Sequence, residues 1–218
     1  MLNRIQPQTN DHVLEIGCGW GSFAIHAVQQ TGCKVTGLTL SKRQKVIADQ
    51  RIHEAGLAHR IDIQLRDYRK VDTRFDQIAS IEMLEAVGHE FLPDYFRQCE
   101  RLLKPGGRAA IQAITIPDNR YDTYRRGSDW IRKYIFPGGH LPSIARVEQI
   151  IHGSDGLSFH NLERMGTDYA RTLRHWHTRF NQQWDEISAL GFDERFKRMW
   201  NYYLCYCEAG FDANYIDL

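Results

Sequence analysis

The sequence predicts an α/β protein, a mostly parallel sheet with helices on both faces. Strand-like and helix-like patterns alternate over the first two-thirds of the 218 residues. The apolar run Val13-Leu14-Glu15-Ile16 ends in Gly17-Cys18-Gly19-Trp20-Gly21 and opens a helix, the form of a buried strand turning sharply. Lys104-Pro105-Gly106-Gly107 divides an apolar helix from a strand with a strong turn signal.

Each element has a local reason. The helix after the glycine turn runs over 21–31 and stops near Gly32; 34–38 reads as the second strand. Ser41 caps a long helix whose apolar positions Val46, Ile47, Ile52 and Ala55 lead to a stop at Gly56. Residues 61–65 alternate as a third strand and 75–81 form a fourth, with a helix over 91–103 and a fifth strand over 108–115. From 117 the composition shifts to Arg, Tyr and Gly. A short helix over 143–152 and a strand over 157–165 follow, then helices over 168–190 and 193–208. Tyr169, Leu173, Trp176, Phe180 and Trp184 line one face of the first of these. That face suits either packing on the sheet or a lid over an apolar substrate pocket. The expectation is one domain over 1–218, with lid elements at about 117–142 and 168–208.

Composition excludes several classes. A formal charge of +1 argues against a nucleic-acid binder held by bulk charge. There is no run of 18 apolar residues and no signal peptide, since residues 1–11 are polar. Five cysteines with no C-x-x-C pair point to a reduced, cytoplasmic protein. Ten histidines show no metal-ligand spacing, so no metal is expected.

Three glycines at 17, 19 and 21 let backbone approach a ligand, and the helix beyond offers unpaired N–H groups. The G-x-G-x-G spacing fits neither a dinucleotide fingerprint nor a P-loop. With Glu15 two positions ahead, it resembles motif I of S-adenosylmethionine (SAM) dependent methyltransferases. Further stretches carry a sharper likeness. They are Leu14–Gly21, Val35-Thr-Gly-Leu-Thr-Leu-Ser41, Ser80-Ile-Glu-Met-Leu-Glu-Ala-Val-Gly88, Trp130-Ile-Arg-Lys-Tyr-Ile-Phe-Pro-Gly-Gly139, Gly166-Thr-Asp-Tyr169, Glu194-Arg-Phe-Lys-Arg-Met199 and Tyr202-Tyr-Leu204. In order and over nearly the whole chain, these resemble the cyclopropane-fatty-acyl-phospholipid synthase family, which includes the mycolic acid cyclopropane synthases.

That resemblance implies a class I, Rossmann-like methyltransferase sheet with a helical substrate lid. It also implies methylene or methyl transfer from SAM to the cis double bond of unsaturated phospholipid acyl chains, forming cyclopropane fatty acids. Glu15, Gly17, Cys18, Gly19 and Gly21 would hold the methionine part of SAM; Thr39, Leu40 and Gln44 its ribose; Asp67 and Tyr68 its adenine. The strand-two acid that most methyltransferases use for the ribose is absent, and the family puts a Thr–Gln pair there. A bound bicarbonate acts as the base in the family. Carried over, its holders are Glu85, Tyr169, the amide of Ile114 and, where the family has His, Gln112. The family's cysteine ligand lies upstream of motif I, before this chain begins. Cys207 matches a position once proposed as nucleophilic, although on this helix a small core residue is the plainer account.

The partners implied are unsaturated acyl chains at a membrane surface, with peripheral contact by the aromatic helix 168–190 beside Arg120, Arg125, Arg126, Arg132 and Lys133. Neither oligomeric state, a homodimer included, nor the product is determined. The chain also stops short of the family's segment over SAM and of its last antiparallel strand. Two rivals stay open. A coclaurine-type N-methyltransferase shares the E-x-x-E element, although Ala86 stands where that group has His. A non-catalytic SAM- or lipid-binding relative is the other.

Overall fold

The computed structural model describes residues 1–218. The chain divides into two compact units, 1–113 with 148–159, and 114–147 with 160–218.

The first unit contains a five-stranded sheet in the order β3-β2-β1-β4-β5. Its strands are β1 (His12–Ile16), β2 (Lys34–Thr39), β3 (Ile61–Leu65), β4 (Phe75–Ile81) and β5 (Leu103–Gln112), and every pairing is parallel. Parallel strands need crossovers, supplied by α2 (Ser22–Thr31), α3 (Lys42–Glu54) and α4 (Leu92–Leu102) after the short α1 (Leu2–Ile5). Val13, on one face of β1, joins Ala24, Ala27 and Val28 of α2 and Ala48 and Ile52 of α3 in an apolar cluster. Leu14 and Ile16 point the other way and are as fully buried, so both faces of β1 are covered. Order reverses between β1 and β4, the switch point outside which such sheets place ligands.

Two expectations shift. Ala48 and Ile52, four apart, face the sheet, whereas Val46 and Ile47, expected in the apolar face, are 65% and 42% exposed. Ladder pairing of the fifth strand begins at Leu103 rather than 108, because the Lys104–Gly107 turn lies inside a register shift opposite Phe75–Gln77.

The second unit is helical. Its elements are α5 (Asp118–Arg126), α6 (Trp130–Tyr134), α8 (Gly166–Gln182), α9 (Trp184–Ala189) and α10 (Glu194–Asp212); α7 (Ile144–His152) gives this unit its first turn and the remainder to the first. Ala170 and Leu173 of α8 pack with Leu204 and Phe211 of α10. Asp217 accepts the Gly166 N–H at 3.0 Å, holding the start of α8. The expected lid segments fall in this unit.

The expected strand over 157–165 is absent, and those residues are irregular. The helix expected over 168–190 breaks at Gln183 into α8 and α9. No antiparallel strand follows α10; a single antiparallel bridge joins Thr115 to Asp217. No helix is long and apolar enough to cross a membrane.

Candidate functional site

The glycine loop is built by hydrogen bonds that hold its backbone open. Gly17 and Cys18 donate to Leu38 O of β2 at 3.1 and 2.8 Å, and Gly21 donates to Cys18 O at 2.9 Å. Gly17, Gly19 and Gly21 all have left-handed φ, of 82°, 52° and 77°. Their surroundings differ. A Cβ on Gly17 would lie 2.9 Å from Met83 Cγ and one on Gly21 would lie 3.2 Å from Ala48 Cβ, so both meet protein. A Cβ on Gly19 would meet nothing within 4 Å. The middle glycine is therefore where the loop offers bare backbone to a ligand. The thiol of Cys18 is buried and pushed up to about 12 by that burial, so its contribution is its backbone.

Glu15 lies beneath this loop, 2% exposed, with Gly37 and Ala79 beside it in the sheet. Its carboxyl accepts the Ala24 N–H in the first turn of α2, whose own N-cap, Gly21, has no side chain to offer. Burial pushes the group up from an ordinary value of 4.5 to about 8, against the lowering effect of that bond, so it is mostly protonated at neutral pH. Oε2 has no partner.

At the end of β2, Thr39 is 5% exposed and its hydroxyl donates to Gln44 Oε1 at 2.8 Å. Ser41 accepts the Gln44 N–H at 3.2 Å, capping α3 as expected. With its oxygen taken, the Gln44 amide keeps its N–H₂ donors for a ligand. Leu40, between them, is 75% exposed.

Asp67 caps a 3₁₀ turn (Tyr68–Lys70) and receives Arg69 in bidentate fashion, with Nε and Nη2 at 3.0 and 2.6 Å. The Arg69 hydrogen bond holds its carboxyl below the usual range. The Tyr68 ring meets the buried Tyr95 edge-on at 5.5 Å, and burial raises its hydroxyl. The Tyr68 carbonyl accepts from Gln98 Nε2 at 2.9 Å, and so does that of Val71. Nothing in the sequence marked Gln98, thirty residues away. Arg51 was likewise unmarked, yet it secures the loop by donating to Trp20 O and Ser22 Oγ at 2.8 and 3.1 Å.

The residues expected around the base divide between the units. Glu85 lies in a 3₁₀ turn (Leu84–Ala86) after β4, and Gln112 ends β5. Glu82 N donates to Gln112 O at 2.8 Å, while Gln112 Nε2 donates to Glu82 Oε1 at 3.1 Å. In the second unit Ile114 and Tyr169 border the α8–α10 cluster, the Tyr169 ring edge-on to Phe211 at 5.0 Å. Cys207 borders the same cluster, and burial pushes its thiol up to about 12; such a thiol is no nucleophile at neutral pH. No group of three His, Cys, Asp or Glu residues is arranged to hold a metal.

A parallel sheet with a glycine loop at its switch point, the middle glycine open and a hydroxyl–amide pair at the next strand end, defines a class I methyltransferase fold. Solved structures agree. The cyclopropane synthase MmaA2 of Mycobacterium tuberculosis superimposes with a TM-score of 0.89 at 29% identity, over 99% of this chain and 78% of that one. Mycolic acid cyclopropane synthase CmaA1, complexed with SAH and CTAB, does so at 0.88 and 30%, with the same coverage. A coclaurine N-methyltransferase, at 24% identity and a TM-score of 0.75, shares the fold. The family model for mycolic acid cyclopropane synthetase matches residues 1–218. Tuberculostearic acid methyltransferase of Mycobacterium tuberculosis is 47% identical over 97% of this chain and 49% of its own length. Cyclopropane-fatty-acyl-phospholipid synthase of Escherichia coli is 37% identical over 100% and 54%. The chain belongs to the mycolic acid cyclopropane synthetase family, and it spans about half the length of these curated relatives.

Proposed function

We propose that this protein binds SAM and transfers its methyl carbon to the double bond of unsaturated lipid acyl chains. The observation that carries the cofactor reading is the end of β2. A hydroxyl–amide pair there leaves the Gln44 N–H₂ free to donate to ribose hydroxyls, where a generic methyltransferase would use an acid. The open space over Gly19 and the Tyr68 ring at the next strand end fit the methionine and adenine ends. Glu15 supports the loop from below through the Ala24 N–H. When bound, SAM supplies an electrophilic sulfonium methyl. The alkene is a weak nucleophile, so the protein's task is to hold it close and dry and to manage one proton.

For that proton we assign Glu85, Gln112, Tyr169 and the Ile114 amide as holders of bicarbonate, following the family resemblance. Bicarbonate carries an O–H for Glu85 to accept, while the other three donate. Tyr169→Phe should lower turnover by roughly 10²–10³ with SAM affinity kept, the usual loss for one donor in a dry site. Wild-type turnover in that variant would sink the assignment.

Lipid as the substrate class is supported by the relatives' names and by the complex of one of them with CTAB. For peripheral membrane contact, three of the expected arginines have partners on the protein and Arg126 does not. Arg120 lies over the Tyr215 ring, Arg125 pairs with Asp122 and Arg132 with Asp129. On the aromatic face of α8, Phe180 packs against Trp184 and Phe196, while Trp176 is 43% exposed. Trp130, Tyr134, Tyr202 and Tyr206 form a half-exposed aromatic surface on α6 and α10, with Arg126 and Arg198 exposed and outside any ion pair. Rings beside free cations suit an anionic lipid surface. Vesicles containing anionic lipid should sediment the protein at low salt and release it at high salt; no sedimentation at low salt refutes the contact.

One observation favours a second product. Gln112 stands where the family has His, and the relative at 47% identity is named a methyltransferase rather than a cyclopropane synthase. A methylene branch, or a methyl branch beside a retained double bond, is then the product instead of a ring, each formed when the cation loses one proton. Chromatography and mass spectrometry of fatty acid esters after incubation with SAM and unsaturated phospholipid separates the two, and unmodified lipid in every case refutes the proposal.

A further inference from the structure

We infer that Glu82 is a positioning residue for the transfer site: by accepting one N–H of the Gln112 amide it fixes that side chain, so that the other N–H is held ready to donate to a reacting group. The inference deepens the proposed function and rests on it.

Glu82 follows β4 directly and has φ 49°, one of three non-glycine residues in the left-handed region. An L residue is disfavoured there because Cβ crowds its own backbone. The conformation has a visible result. It sends the Glu82 N–H to Gln112 O at 2.8 Å, one step beyond the last ladder pair Ile81–Gln112. It also brings Glu82 Oε1 to 3.1 Å from Gln112 Nε2. Backbone and side chain thus bracket one glutamine from both ends.

A glutamine amide has two ends of nearly the same shape, and its orientation is set by its partners. A carboxylate accepts only, so Glu82 selects Nε2. The second Nε2 N–H is the donor that this contact leaves to Gln112. The neighbourhood is that of the cofactor loop: Met83, the next residue, approaches Gly17 so closely that a Cβ there would lie 2.9 Å from its Cγ.

Glu82→Gly removes the anchor and the backbone strain together, so the fold should not suffer while the amide loses its orientation. Turnover should fall roughly 10–10²-fold, the scale expected when a group beside the chemistry is misplaced. The melting temperature should hold or rise, and SAM affinity by calorimetry should stay within about twofold. Glu82→Gln, whose carbonyl still accepts from Nε2, should recover most of the rate. Glu82→Gly added to Gln112→Leu should cost nothing more, because both changes remove one coupled pair. Full turnover in Glu82→Gly, or losses that multiply in the double variant, would overturn the inference. The Gln112 side-chain N–H₂ resonances should move in Glu82→Gly, which requires no substrate. If the wild type modifies no unsaturated lipid, the substrate reading fails and those resonances decide alone, with unmoved signals overturning the anchoring.

Discussion

Replacing Glu15 by Gln should abolish a pH dependence of stability that its burial creates. In the folded protein the carboxyl stands at about 8 against 4.5 for an exposed one, with desolvation the main cause. Between those values the folded state keeps a proton that the unfolded chain has released. Stability linked to this group is therefore fully present below pH 4.5 and is lost as pH rises towards 8, by about 1.4 kcal/mol per pH unit. Across the whole window the loss is on the order of 5 kcal/mol, large beside the 5–15 kcal/mol typical of a domain. Gln keeps an oxygen for the Ala24 N–H and never ionises. Its extra N–H has no acceptor ready, since Oε2 has none now, so the absolute offset of the variant mixes two effects of about 1–3 kcal/mol each. The slope does not. Urea unfolding of both proteins at pH 5.5, 6.5 and 7.5 should show the wild type losing about 2.7 kcal/mol relative to the variant over those two pH units. Parallel curves would refute the reasoning and mean that Glu15 is ionised where it lies.

Gly19→Val should lower SAM affinity about tenfold or more, because φ 52° is strained for any side chain and the Cβ would enter the one open face of the loop; calorimetry checks this, and unchanged affinity contradicts the loop assignment. Gln98→Leu should leave the Tyr68 and Val71 carbonyls without their donor and weaken SAM binding severalfold, by roughly 1 kcal/mol, through a loosened Tyr68 ring. Phe211→Ala, at a residue 1% exposed in the α8–α10 cluster, should cost about 3–5 kcal/mol, read as a lowered melting temperature.

What the sequence by itself determined is what local chemistry determines. The glycine turn, the Ser41 cap and the stop at Gly32 depend on the φ a residue can adopt or on a side chain bonding three residues away, and all appear in the structure. β1 was legible because burial on both faces demands an apolar run, and β3, at the sheet edge, because its residues alternate. The family motifs marked Thr39, Gln44 and Glu85 by identity. What remained was decided by tertiary contact. Residues 157–165 carry apolar side chains yet form no strand, since a strand exists only where another offers a ladder. Val46, Ile47 and Ala55 were read with Ile52 as the apolar positions, but the sheet took Ala48 and Ile52, because the helix's rotation is set by its packing. Gln98 under Tyr68, Arg51 on the loop and Glu82 on Gln112 join positions about thirty apart. Sequence spacing carries no signal for such pairs; only the crossovers that fold the chain into the order β3-β2-β1-β4-β5, with helices packed on it, bring them within reach.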